Sequence, residues 1–148
     1  MNALAITLAA ALVLPVFAHD EGHGPKLTDA GKMGGVITAV VLAKDAKLGS
    51  QAPLQFKAEL TRSEAGIVRI YLYDKKMVPL DRKRFGTTAQ ALLQAQVKKK
   101  WTSTPFPLNF KDGAFTGKAP KASRKPFNID VTFKEGATEL LAAFDNLD

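Results

Sequence analysis

The sequence holds no cysteine, only two histidines, one tryptophan, and no charged side chain in its first 18 residues. Each shortage closes off a class of protein. Without cysteine there are no disulfide scaffolds, no thiolate zinc sites and no thiol catalysis. The histidines stand at positions 19 and 23, so the rest of the chain has no imidazole and cannot build a Ser-His-Asp arrangement on a folded core. No G-x-x-x-x-G-K loop and no spaced dinucleotide glycines occur either. Catalytic signatures are thus missing, and a protein that is not an enzyme is expected. All of the charge, 21 Lys and Arg against 14 Asp and Glu, falls after residue 18. That body is too short for a multidomain enzyme, and too apolar and mixed in charge for disorder.

What is present begins with a leader. Residues 4–17, LAITLAAALVLPVF, form an apolar run shorter than the roughly 20 residues that a membrane-spanning helix needs. Val16 and Ala18 put small residues at the two positions a signal peptidase reads, and Pro15 breaks the run just before them. Residues 1–18 therefore read as a cleavable signal peptide; with no Lys or Arg ahead of the run, an uncleaved anchor is the alternative. No later stretch reads as transmembrane, so the mature chain is expected to be periplasmic or secreted. A cysteine-free body suits an oxidising compartment.

Residues 19–35 are polar and Gly-rich and read as a flexible, His-bearing lead-in. Residues 36–148 read as one all-β domain. Residues 36–43 (VITAVVLA) are β-branched enough for a buried strand, and residues 44–53 are a loop. In residues 54–60 Leu54, Phe56, Ala58 and Leu60 share one face, and Gln55, Lys57 and Glu59 the other. Residues 66–74 alternate likewise, with Val68, Ile70 and Leu72 opposite Arg69, Tyr71 and Tyr73. A Lys75-Lys76 turn leads into residues 77–81. Residues 88–97 (TAQALLQAQV) have helical propensity in an all-β setting; a strand running on into Lys98-Lys99-Lys100-Trp101 is expected, with a helix as the alternative. Residues 106–110, 114–118, 127–133 and 139–144 complete seven or eight short strands. That spacing predicts an antiparallel β-sandwich.

Two features could carry function. Cleavage after Ala18 makes His19 the first residue, where its amine and imidazole can chelate a divalent cation. Asp20, Glu21 and His23 add ligands within a few residues, a set suited to copper, zinc or nickel, with Met33 as a soft donor for Cu(I). Glu21 occupies the third position, where a tight amino-terminal copper or nickel motif needs His, so labile capture is expected; a solvated tail is the alternative. The second feature is the set of basic clusters: Lys75-Lys76, Arg82-Lys83-Arg84, Lys98-Lys99-Lys100 and residues 118–125. These suit an anionic envelope surface such as lipid, lipopolysaccharide or an acidic protein, and not nucleic acid. The alternative is solvated turns that keep the protein soluble.

The order HDEGHGP, then Gly34-Gly35, then IYLYDKKMVPLD, GAFTGKAP and PFNIDVTF resembles the small periplasmic β-domain attached to membrane-fusion subunits of heavy-metal efflux pumps. The resemblance spans residues 24–133. It implies a periplasmic β-sandwich associated with divalent-metal export; with the His-bearing terminus, the expectation is an exported protein that binds or buffers a transition metal as an accessory to efflux. The chain departs from those subunits in having no hairpin, lipoyl-like domain or second histidine cluster.

Overall fold

The computed structural model describes residues 23–148. It contains eight strands: β1 (Val36–Leu42), β2 (Phe56–Arg62), β3 (Ile67–Tyr73), β4 (Thr88–Val97), β5 (Lys100–Lys111), β6 (Ala114–Lys118), β7 (Phe127–Glu135) and β8 (Thr138–Leu147). The predicted leader, residues 1–18, lies outside the described residues. Among those described, no helix is long and apolar enough to cross a membrane.

The strands are antiparallel and close into one barrel in the order β1-β2-β3-β6-β5-β4-β7-β8. The expected sandwich is thereby corrected to a barrel. Period-2 alternation gives each strand an inner and an outer face in either architecture. The distinguishing contact is the pairing of the first strand with the last, Val40 opposite Ala142 and Leu42 opposite Leu140. That pairing joins sequence-distant segments and leaves no local pattern.

The alternation itself holds. Val40, Ala58, Leu60, Val68, Ile70, Leu93, Leu108, Phe127, Ile129, Val131, Phe133, Leu140 and Phe144 all fill the barrel. Residues 88–97 are a strand, with Ala89, Ala91, Leu93 and Ala95 buried. Pairing on both sides, to β5 and to β7, overrides the helical propensity of this stretch. Its expected run into Lys98 does not occur. Lys98 and Lys99 reverse the chain, and β5 returns from Lys100.

The barrel has two unlike mouths. At one, the β3–β4 connection crosses the opening and tucks Phe85 into it. There Phe56, Phe85, Phe133, Phe115 and Phe110 meet in succession at ring separations of 5.2–5.8 Å, mostly edge to face. This aromatic plug closes that mouth. The other mouth holds the Lys98-Lys99 turn, the start of β1, the end of β8 and the β6–β7 loop.

Candidate functional site

Of the predicted metal ligands, His19, Asp20 and Glu21 lie outside the described residues. His23 sits beside the β1–β2 connection, its Nδ1 2.9 Å from the Ala46 carbonyl oxygen. A carbonyl only accepts, so that nitrogen carries the hydrogen. Met33 belongs to a different corner, against Glu59. Among the described residues, no three His, Cys, Asp or Glu side chains are grouped to hold a metal ion.

Residues 23–35, expected to be a flexible lead-in, run as a strap across the outer face of β1 and β2. Gly24 donates its N–H to Gly49 O at 2.7 Å. Leu27 packs on the small apolar cluster of Ala39, Val41 and Ala52. Asp29 pairs with Lys57 at 2.6 Å. The strap ends on Glu59, which has no solvent exposure. Its Oε1 accepts the N–H groups of Met33 and Gly35, both at 2.8 Å, and its Oε2 accepts that of Lys32 at 3.0 Å. Tyr73 donates its hydroxyl to Oε2 at 2.8 Å. A buried carboxylate is tolerable only with such a full set of donors. Burial first, and then the Glu59 carboxylate, pushes the Tyr73 phenol well above its ordinary value.

Close approach explains the glycines here. A Cβ on Gly31 would stand 2.4 Å from Glu59 Oε1, and one on Gly35 would stand 2.2 Å from Leu60 O. The alternation of residues 54–60 puts Lys57 and Glu59 on the face opposite the core, where they lie, but gives no sign that the strap buries them. The available signal was the Gly-rich lead-in itself, since such glycines let a backbone press against a neighbour. Both Glu59 oxygens are engaged within the chain, so the chemistry of this carboxylate is spent on fastening the strap.

The exposed charged site is at the open mouth. Strands β4 and β5 pair through ten consecutive positions, from Thr88–Asn109 to Val97–Lys100. β7 flanks β4 only as far as Ala95, and β6 flanks β5 only at Asn109–Lys111. The tip of the hairpin therefore projects past its neighbours, and on the side away from β4 residues 100–108 have no paired strand among the described residues. Residues 100–105 are all exposed. Pro105 and Pro107 sit in the same edge. In a two-residue hairpin the closing pair, Val97–Lys100, is hydrogen-bonded, so positions 101, 103, 105 and 107 turn their backbone outward. Proline at two of these removes the outward N–H, which limits uncontrolled strand addition.

The tip is costly to form. Lys98 and Lys99 both have positive φ, 50° and 65°, the left-handed pair that two-residue hairpins normally give to Asn-Gly. Trp101 follows, with 39% of its surface exposed. Beside the tip, β6 ends and β7 begins, so the loop carrying Lys118, Lys121, Arg124 and Lys125 opens at the same mouth; all four are exposed. Residues 98–101 and 118–126 together hold seven cations and no acid, while the other 14 Lys and Arg equal the 14 Asp and Glu of the whole chain. These seven form a basic patch with no acid in either segment at one end of the barrel.

No protein family matches the chain, and no curated protein or solved structure compared with it does so either.

Proposed function

We propose that this protein is an interaction module that docks an anionic envelope surface through the open mouth of its barrel. One observation carries the reading: seven cations, with no acid among them, lie in two adjoining segments at that mouth, three of them on a projecting hairpin with an exposed tryptophan. Opposed negative charge steers such a tip into contact, and the indole suits the headgroup level of a lipid surface. The leader-like residues 1–18 support an exported setting.

The test is sedimentation with vesicles, anionic against zwitterionic, over a salt series. Binding is expected to the anionic vesicles only, to weaken as salt rises, and to be lost in K98E/K99E/K100E. Binding that is insensitive to salt, or unchanged in that variant, sinks the reading.

A second reading, labile capture of copper, zinc or nickel by His19, Asp20, Glu21 and His23, is favoured by one contact. The bond from His23 Nδ1 to the Ala46 carbonyl is the kind of backbone support that fixes the ring of a metal-ligating histidine. Calorimetry of the processed chain with Cu(II), Zn(II) and Ni(II) checks it, and an unaltered affinity after deletion of residues 19–23 defeats it.

A further inference from the structure

A pocket of about 190 Å³ opens at the rim of the plugged mouth, at the end of β3, between the strap and the β3–β4 crossover. It is remote from the basic hairpin and stands independently of the docking function. Leu72, Leu80, Phe85 and Phe110 supply an apolar floor. Phe85 and Phe110 are the plug's second ring and its last, so the floor is braced by the edge-to-face rings beneath it.

The polar groups of the pocket are of one sign. Lys32 and Arg82 line it, and none of the lining residues is acidic. The ion pairs among the described residues are Lys57–Asp29 and Arg84–Glu135, and neither uses these two cations. One charge that interacts with Lys32 is Asp74. Its carboxyl is held below the usual carboxylate range chiefly by the Val78 N–H, with smaller help from Lys76 and Lys32, so it is already supplied with donors. Arg82 lays its guanidinium over the Phe110 ring at 5.4 Å, which keeps the cation close to the apolar wall. The Tyr73 hydroxyl is turned away to Glu59.

Size and charge together define a ligand. A cavity of about 150 Å³ is enough to seat benzene, and cations beside an apolar floor recognise an anion that carries an apolar body. We propose that this pocket binds a small aromatic carboxylate, its ring against Phe85 and Phe110 and its carboxylate against Lys32 and Arg82.

Phenylacetate is the probe, titrated to millimolar concentration into the isotopically labelled full chain and followed by amide chemical shifts. Two comparisons dissect the recognition: phenylacetamide keeps the ring without the charge, and acetate keeps the charge without the ring. Saturable shifts around Lys32, Leu80 and Phe110 are expected with phenylacetate. The amide and acetate should each bind roughly ten-fold more weakly or worse. Arg82→Glu should lose binding by a similar factor, while K98E/K99E/K100E should leave it unchanged. Lys32→Glu is the second variant, because the Lys32 backbone, not its side chain, holds Glu59. Equal binding of the amide, equal binding of acetate as an adventitious ion only, an undiminished affinity in both variants, or no saturable shift would each overturn the proposal. None of these results bears on vesicle docking, so the two failures are distinguishable.

Discussion

Glu59 and Tyr73 meet in a corner from which the strap excludes water, and their contact ties stability to pH on the alkaline side. The phenol is pushed up by burial and by the carboxylate that accepts its hydrogen bond. In the unfolded chain it ionises at its ordinary value near 10, whereas in the barrel it keeps its proton to higher pH. The folded state then binds more protons, so stability is intact below about pH 10 and falls above it, at up to about 1.4 kcal/mol per pH unit for one group. Tyr73→Phe removes a hydrogen bond to a charged acceptor, at about 1.5–3 kcal/mol near neutrality, and also removes this proton linkage. Urea unfolding from about pH 8 to about pH 11 should show a shallower alkaline decline in the variant. Parallel declines would show that Tyr73 is not the linked group.

At the scale of elements, the strands were legible and the hairpin tip was not. Alternation in residues 127–133 and 66–74 assigned Phe127, Ile129, Val131, Phe133, Val68, Ile70 and Leu72 to the interior, where they lie. Those faces are fixed by period alone. The tip has no Gly, Asn or Pro to announce a turn, and three lysines read equally well as a continuing strand. The basic clusters were visible as charge, yet the meeting of Lys98-Lys99-Lys100 with residues 118–125 at one mouth depends on the strand order, which puts β4, β5, β6 and β7 side by side and leaves Lys75-Lys76 and Arg82-Lys83-Arg84 at the other. The closure of β1 on β8 and the strap over Glu59 were likewise tertiary events. Two non-glycine residues at positive φ cost roughly 1 kcal/mol each. The pair Lys98→Asn with Lys99→Gly should therefore stabilise the protein by about 1–2 kcal/mol and raise Tm by a few degrees. The same change removes two cations, so vesicle binding should weaken as stability grows. A Tm at or below that of the parent would refute the strain assigned to this turn.

At the scale of the molecule, the issue is whether docking follows the total charge or its placement. Outside the two basic segments, cations and acids are equal in number, whereas within them seven cations stand with no acid. Exposed charges farther apart than a Debye length, about 8 Å at physiological salt, are largely screened from one another. An anionic surface at close range therefore meets the charges of the end that touches it and not the sum over the molecule. Lys44, Lys47 and Lys111 stand towards the plugged mouth and are exposed. Reversing these three to Glu gives a chain of formal charge +1, the same as reversing Lys98, Lys99 and Lys100. Placement predicts that the first variant keeps vesicle binding at about the parental level, while the second loses it. The salt dependence of the first should match the parent, because the contacting cations are intact. Equal losses in the two variants would mean that net charge alone holds the protein to the surface, and the projecting hairpin would have no special part in docking.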